Sequence, residues 1–215
     1  MTSIKRKTIL GILLLVSIAF AGIFATKYVG SKMKQDERSN LLLRTDMIAL
    51  MLDRGYVQSL NGDETDLENP DYQILKKQLS QIRKLNSDTR FIYLMGLNEE
   101  GQQFFHVDSE PADSEDYSGP GDLYLEATDY DLLNHQAGIA YTDGPYTDSW
   151  GTWFSAYAPV LDADRNVLAL VGVDIAAKRM LLRVNIVMQA MVLIFSLLFL
   201  STLLFIIEWR KSSRY

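Results

Sequence analysis

The residues with the most chemical potential are tyrosines, tryptophans and aspartates in the second half of the chain. Eight of them form the predicted ligand-binding set: Tyr93, Asp108, Tyr146, Asp148, Trp150, Trp153, Tyr157 and Asp174. Aromatic faces attract a desolvated cation by up to about 2 kcal/mol, and neighbouring carboxylates compensate its charge. The set therefore predicts a pocket for a small cationic or neutral ligand.

The alternation of side chains along extended strands is the reason for grouping these residues. The predicted pocket face consists of Tyr93 and Met95, His106 and Asp108, and Trp153, Ser155 and Tyr157. The loop before Thr152 is expected to add Tyr146, Asp148 and Trp150 to it. The opposite, apolar face is expected to pack on a long helix and consists of Ile92, Leu94, Phe105, Val107, Phe154, Ala156 and Ala158.

The charge pattern favours a cation over an anion. Residues 91–164 contain fifteen Asp or Glu and neither Lys nor Arg. Bidentate capture of a carboxylate needs an arginine, so an anionic ligand is disfavoured unless Arg90 or a lysine of the long helix reaches the pocket. Nucleic acid is disfavoured because phosphate contacts need clustered basic residues.

Five members of the set also have a purely structural interpretation. Trp150, Trp153 and Tyr157 could pack in a core, as aromatic residues on strands usually do. Asp174 could tie a strand end to a backbone amide, and Asp108 could cap the loop that follows it. The sequence alone leaves both interpretations open.

Metal, cofactor and catalytic motifs are not predicted. His106 and His135 lack a paired metal spacing and are expected to be surface or internally satisfied histidines. Four acidic residues remain candidates for a divalent cation, without the spacing of a calcium loop: Asp108, Glu110, Asp113 and Glu115. The absence of cysteine excludes thiolate chemistry, and neither G-x-S-x-G nor H-E-x-x-H occurs, so the chain is not predicted to be an enzyme.

Two apolar segments near the chain ends predict transmembrane helices. Residues 9–25 carry no charge and follow the basic residues 5–7, and residues 184–207 are 24 consecutive uncharged residues. About 20 such residues span a bilayer. For the first segment a cleavable signal peptide is the alternative, because Ala19 and Ala21 form an A-x-A pattern before Gly22.

Basic residues at both ends set the predicted topology. Lys and Arg are enriched on the cytoplasmic side of spans, and Arg210, Lys211 and Arg214 follow the second apolar segment. The prediction is a multi-pass protein of the cell inner membrane, with a cytoplasmic N-terminus (1–7), a first span (8–27), an extracytoplasmic domain (28–178), a second span (184–207) and a cytoplasmic tail (208–215).

The middle of the chain predicts helices first and strands afterwards, which is an α+β order. A long helix covers residues 28–53 and breaks near Asn61-Gly62-Asp63. A second helix starts at Asn69-Pro70 and is expected to bury Ile74, Leu75, Leu79, Ile82 and Leu85. Residues 91–97 and 103–108 form one hairpin, residues 123–136 form a short helix, and residues 152–160 and 167–175 form a hairpin that runs into the second span.

Several segments resemble one known group of proteins. The stretch from Gly144 to Val160 (GPYTDSWGTWFSAYAPV) and the VGVDI from Val171 are similar to the closing strands of extracytoplasmic PAS-like sensor domains of the PDC/Cache type. Upstream, Asp71-Tyr72, the FIYL from Phe91, the VDSEP from Val107 and the SEDYS from Ser114 also fit. The resemblance implies a long N-terminal helix packed on a mostly antiparallel PAS-like sheet.

The resemblance also implies a function. In that family such domains precede histidine kinase, diguanylate cyclase or chemotaxis output domains. The resemblance also implies that the sensor is a dimer. The chain is therefore expected to sense a small molecule outside the cytoplasm, as a parallel homodimer along residues 28–53. It departs from the family by ending after its second span, so a cytoplasmic partner such as a histidine kinase or diguanylate cyclase, or a longer receptor, is expected to supply the output. The alternatives are a non-sensing membrane adapter or assembly protein and, less favoured, an anchored envelope hydrolase.

Overall fold

A computed structural model describes residues 3–212, with side chains from residue 6 onward. It contains two compact units: one is formed by the chain ends, up to Asp36 and from Leu181, and the other spans Glu37–Met180. The predicted cytoplasmic ranges 1–7 and 208–215 lie partly outside the described residues, as do Arg214 and the side chain of Lys5.

The helices of the unit Glu37–Met180 begin with the end of α1 (Ser3–Met51), which α2 (Arg54–Gln58), a 3-10 helix (Glu64–Glu68) and α3 (Pro70–Leu85) follow. The side chain of Asn69 accepts a hydrogen bond of 2.9 Å from the N–H of Asp71 and so caps α3. Pro70 occupies the first helical position, where its missing N–H costs nothing. The predicted start of this helix is confirmed.

One antiparallel sheet of five strands, in the order β2-β1-β5-β4-β3, completes this unit. The strands are β1 (Thr89–Leu97), β2 (Gln103–Asp108), β3 (Tyr141–Thr147), β4 (Thr152–Leu161) and β5 (Val167–Ala176), with α4 (Asp129–Ala137) between β2 and β3 in the chain. The β5 strand passes directly into α5 (Ala177–Lys211). The predicted α+β class and both predicted hairpins are confirmed.

Three local predictions are wrong. The residues of β3 were expected to form a loop, but they form a strand, and Tyr146 lies on it. The short helix α4 begins at Asp129 instead of residue 123, because Thr128 and Asp131 form a capping box that fixes its start. On α3, Ile74 and Leu85 are exposed at 44% and 85%, whereas Leu75 and Leu79 are buried as predicted, together with Tyr72.

The apolar face of the sheet forms the main core of this unit. Its fully buried members on the strands are Ile92, Leu94, Val107, Ala156 and Ala158. Helix α3 contacts β1 and β2, and α1 places the Arg38 guanidinium 5.2 Å from the centre of the Phe154 ring. The predicted core face is confirmed except for Phe105, which lies elsewhere, as described below.

The other unit consists of the remainder of α1 and α5. Both helices are long and apolar enough to cross a membrane by length and composition, and only 11% and 6% of their apolar windows are buried within the described protein. They approach closely at three glycines: a Cβ on Gly30 would lie 2.7 Å from Met188, one on Gly22 would lie 2.8 Å from the Phe195 ring, and one on Gly11 would lie 3.0 Å from Ile206. Small residues allow such close helix packing in lipid.

Candidate functional site

A cleft opens on the face of the sheet opposite the apolar core. Its space is about 380 Å³ when the open solvent at its mouth is included, and the centres of water-sized molecules can reach about 30 Å³ of it. The lining residues are Phe91, Tyr93, Met95, Phe105, Asp108, Asp116, Ser118, Tyr124, Asp148, Trp150 and Asp174. Six of them have apolar or aromatic bodies, four are carboxylates, and no lysine or arginine is among them.

Aromatic rings form the apolar wall of the cleft. The Phe105 ring meets Tyr93 edge to face at a centroid distance of 5.4 Å, and it meets both Tyr124 and Trp150 at 6.2 Å. These are the ring separations that aromatic pairs prefer. The rings therefore hold one another in place around an open centre, which a cation or an apolar group can occupy.

Asp174 of β5 lies at the base of the cleft and is only 3% exposed. One of its oxygens, Oδ1, accepts hydrogen bonds from the hydroxyls of Ser155 (2.5 Å) and Tyr93 (3.1 Å). The register of the sheet causes this arrangement, because Ser155 lies directly opposite Asp174 on β4. Tyr146 extends the network, with its hydroxyl 2.9 Å from that of Ser155 and 3.2 Å from that of Tyr157.

Burial makes two carboxyls of the cleft unusually weak acids. The pKa of Asp174 is raised to about 7, mainly by burial and in smaller part by the nearby carboxylates of Asp148 and Asp108, against the opposing effect of the hydrogen bonds from Ser155 and Tyr93. Burial also raises the pKa of Asp108 to about 6, although the N–H groups of Glu110 and Ser118 donate to its carboxylate at 3.0 Å each. Each carboxyl therefore exchanges its proton near neutral pH.

Asp148 has a different role from Asp174, although both line the cleft. Its Oδ1 accepts three hydrogen bonds of 2.9 Å, from the N–H groups of Trp150 and Gly151 and from the indole N–H of Trp153. These bonds close the turn between β3 and β4 and orient Trp150 towards the cleft. Asp148 thus positions the aromatic wall as well as adding negative charge.

One rim of the cleft, near the loop after β2, contains carboxylates that are already paired with arginines. Arg90 bridges Glu110 and Asp116, Arg83 also pairs with Glu110, and the Arg90 guanidinium stacks 4.1 Å from the centre of the Phe91 ring. The Lys76 ammonium of α3 donates to the backbone carbonyls of Asp108 (3.0 Å) and Glu110 (2.9 Å). The cations near the cleft are therefore engaged, and the lysine among them comes from α3 and not from the long helix.

The structure divides the predicted set into two groups. Five residues line the cleft together: Tyr93, Asp108, Asp148, Trp150 and Asp174. Tyr146, Trp153 and Tyr157 pack behind it. Trp153 and Tyr157 are buried there in a cluster of mainly aromatic side chains. For Trp153 and Tyr157 the alternative of a core position describes their location, and Tyr146 is half-buried against them.

Sequence reasoning missed five lining residues: Phe91, Phe105, Asp116, Ser118 and Tyr124. Strand alternation could have supplied Phe91, which shares its face with Tyr93 and Met95. The loop residues Asp116, Ser118 and Tyr124 gave no periodic signal, because they lie outside the regular strands.

A β-bulge explains the error at Phe105. Leu94 pairs with Val107 and Met95 pairs with Phe105, so His106 is an extra residue on β2. The extra residue reverses the alternation. Phe105 and Asp108 therefore share the cleft face, whereas His106, predicted to lie there, packs its ring 4.6 Å from that of Phe104.

The two histidines lie away from the cleft, and both are buried. His135 Nδ1 lies 3.0 Å from the Gln103 amide, so this histidine is internally satisfied, whereas His106 Nδ1 is buried without a hydrogen-bond partner. Burial lowers the pKa of each to about 4. Within residues 3–212, no three His, Asp or Glu side chains are grouped so that they could hold a metal ion.

Comparisons with known proteins identify the fold. No family model and no curated protein matches the chain. The ligand-binding domain of the Campylobacter jejuni chemoreceptor Tlp3, solved with 4-methylisoleucine, is similar over 78% of this chain and 62% of its own length, with 17% identity and a TM-score of 0.52. This chain thus spans less than two thirds of that domain.

Two further solved structures are similar at lower TM-scores. The extracellular domain of the histidine kinase mmHK1S-Z2 has 14% identity, a TM-score of 0.42 and coverage of 76% of this chain and 60% of its own. The E. coli DcuS sensor domain has 13% identity, a TM-score of 0.36 and coverage of 65% and 99%. The chemoreceptor comparison establishes that this chain has the fold of a ligand-binding sensor domain.

Proposed function

We propose that the chain is a membrane-anchored sensor whose domain outside the cytoplasm binds a small cationic or neutral molecule. The observation that carries the proposal is the cleft itself, in which aromatic rings surround the buried carboxyl of Asp174. A ligand-binding function on this fold must be argued from the site, because one fold serves many functions. The alternative of a non-sensing adapter predicts a filled core on this face, and the cleft argues against it.

The balance of charge in the cleft supports a cation. An anion would be buried beside Asp108, Asp148 and Asp174, and such an uncompensated charge is strongly unfavourable in a desolvated site. An ammonium would reduce the mutual repulsion of these carboxylates and would gain the attraction of the ring faces. The chemoreceptor domain was solved with an amino acid, which also carries an ammonium group.

A thermal-shift screen of the full chain in detergent tests the ligand class. We expect amines or polyamines to raise the melting temperature more than dicarboxylates or divalent ions do. The Asp174→Asn variant should lose that stabilisation, whereas Glu99→Gln, an exposed carboxylate in the β1–β2 turn, should retain it. Stabilisation by dicarboxylates alone, lost in Arg90→Ala, would contradict the proposed cation preference.

The proposed topology places both termini in the cytoplasm and Ser118 outside. The two apolar helices and the basic residues at both ends support it, in a multi-pass protein of the cell inner membrane. Reporter fusions at Ser118 and at the C-terminus should report opposite sides of the membrane. N-terminal sequencing that began at Gly22 would instead identify a cleaved signal peptide.

We propose further that two copies associate in parallel along the end of α1. Leu43, Met47 and Leu50 form one stripe on this helix and are exposed at 59%, 54% and 78%. Two copies anchored in the same membrane would present this stripe to each other in the same direction. A cytoplasmic partner, such as a histidine kinase or diguanylate cyclase, would then respond to the dimer.

Single cysteines on α1 test the proposed dimer, because the chain has no native cysteine. Leu43→Cys, Met47→Cys and Leu50→Cys should each form an intermolecular disulfide under mild oxidation. Thr45→Cys is the matched control, because Thr45 is fully buried within its own unit. Failure of all three exposed positions to crosslink would contradict the dimer.

A further inference from the structure

We infer that a ligand cation and a proton compete for the same atom, Oδ2 of Asp174, so that the sensor responds to external acidity as well as to its ligand. The inference rests on the proposed function, because it assigns a regulation to the same cleft. In chemical terms, an ammonium R–NH₃⁺ meets the neutral carboxyl, the carboxyl releases its proton to solvent, and the resulting carboxylate pairs with the ammonium.

The two oxygens of Asp174 differ in their surroundings. Oδ1 accepts hydrogen bonds from Ser155 and Tyr93 and is therefore satisfied. Among residues 3–212, the hydrogen bonds that the Asp174 carboxyl accepts both end on Oδ1 and none ends on Oδ2, and the residue lines the cleft. A carboxylate can accept about four hydrogen bonds, so an ionised Asp174 leaves half of its capacity without a donor. A proton or a ligand N–H at Oδ2 fills this place.

Among the described residues, no cation is found with the groups that act on the Asp174 carboxyl to compensate its charge. The polar and titratable side chains that act on it are Tyr93 on β1, Asp108 on β2, Tyr124 in the following loop, Tyr146 on β3, Asp148 in the next turn, and Ser155 and Tyr157 on β4. Among the described residues, the basic side chains at the cleft rim are Lys76, Arg83 and Arg90, and all three bind other acceptors. Ionisation of Asp174 therefore adds negative charge beside two other carboxylates.

The neighbouring hydroxyl groups cannot donate a proton to Oδ2 of Asp174. Burial raises the pKa of Tyr93, Tyr146 and Tyr157 well above its usual value, so all three stay neutral. Their hydroxyls and that of Ser155 form a chain of donors that ends at Oδ1. The network orients the carboxyl and leaves Oδ2 as the single atom at which its protonation state changes.

The direction of the pH effect follows from the raised pKa of Asp174, about 7. Below this pH the ligand must displace a proton, so its affinity falls about tenfold for each pH unit, and above it the affinity levels off. Stability changes in the opposite sense. The folded protein binds more protons than the unfolded chain between about pH 4 and pH 7, so the free energy of unfolding decreases as the pH rises through this window.

Isothermal titration calorimetry of the full chain in lipid nanodiscs tests the competition, with isobutylamine as the probe. Titrations at pH values of about 5.5, 6.5, 7.5 and 8.5, in buffers of different ionisation enthalpy, give both affinity and proton release. We expect the Kd to rise about tenfold from pH 6.5 to 5.5 and to change less than about threefold from 7.5 to 8.5. Nearly one proton should leave for each ligand bound at the lowest pH.

The Ser155→Ala variant distinguishes an effect on the pKa of Asp174 from a purely structural effect, because the two change the pH profile of binding differently. The Ser155 hydroxyl lowers the pKa of Asp174, so its removal should move the midpoint of the pH profile upward. A general loss of structure would weaken binding equally at every pH. Glu99→Gln, on the exposed β1–β2 turn, is the control and should leave the profile unchanged.

The possible outcomes separate the inference from the proposed function. Amine binding with a Kd independent of pH and without proton release would overturn the competition and leave the sensor proposal intact. Absence of amine binding at every pH would overturn both. Amine binding that tightens with rising pH, with a midpoint shifted upward in Ser155→Ala, would support the inference.

Discussion

The rim and the base of the cleft contain carboxyls in opposite electrostatic situations. On the loop after β2, Glu110 and Asp116 face Arg83 and Arg90 and form a paired network. On β5, Asp174 faces hydroxyls and further carboxylates, and its pKa is raised to about 7 mainly by burial. The rim is charge-compensated within the protein, whereas the carboxyl at the base has no positive partner among the described residues.

This difference shows why counting acidic residues does not locate a ligand site. Carboxylates that have a guanidinium partner stabilise the fold, and an added ligand gains little from them. A buried carboxyl without a cation is costly to ionise, so a ligand that supplies the charge gains most there. The contrast between Asp116 and Asp174 is therefore the basis of the predictions below.

The largest expected effect is the loss of amine binding in Asp174→Asn. Removal of one partner of a buried charge pair costs about 2 to 5 kcal/mol, so the affinity for isobutylamine should fall about 30-fold or more. Asp116→Asn, on the paired rim, is the matched control and should change the affinity less than about threefold, because Arg90 already compensates that charge. If calorimetry gave equal losses of affinity for both variants, the distinction between the paired rim and the unpaired base would be contradicted.

The second prediction concerns stability and has opposite signs at the rim and at the base of the cleft. Glu110→Gln should destabilise the protein by about 3 kcal/mol, because Arg83 and Arg90 lose their shared buried carboxylate. At about pH 8, Asp174→Asn should instead raise the free energy of unfolding, because it removes a buried charge without a cation. Chemical denaturation of the full chain measures both. A destabilised Asp174→Asn at that pH would contradict the account.

The smallest expected effect separates the two tryptophans. Trp150 lines the cleft, so Trp150→Leu should weaken amine binding about tenfold through the lost cation–π attraction. Trp153 lies behind the cleft against Phe91, so Trp153→Leu should reduce stability more than it reduces affinity. Equal affinity losses in the two variants, with stability unchanged, would place both rings in the ligand contact.

The fold was predictable because its signals are local. The change from helical to strand period at Phe91, the cap at Asn69 and the turn before Gly101 each fix an element by short-range chemistry. The resemblance of the strand segments to sensor domains then supplied the architecture, which the chemoreceptor comparison matches.

The site was only partly predictable, for identifiable physical reasons. The bulge at His106 reverses the alternation of β2, and no residue type at that position announces it. Strand β3 was missed because Gly144 and Pro145 interrupt its pattern, so Tyr146 was assigned to a loop. The pairing of Arg90 with Glu110 and Asp116 joins residues 20 and 26 positions apart, which periodicity cannot reveal.

The most direct test of the central claim compares three ligands of one shape and different charge. Isobutylamine, isobutanol and isobutyrate are titrated into the full chain in nanodiscs at about pH 8, where Asp174 is ionised. The account predicts that the amine binds at least about tenfold more tightly than the alcohol, and that isobutyrate binds most weakly. If isobutyrate bound most tightly of the three, the claim that the cleft binds a cation at Asp174 would be contradicted.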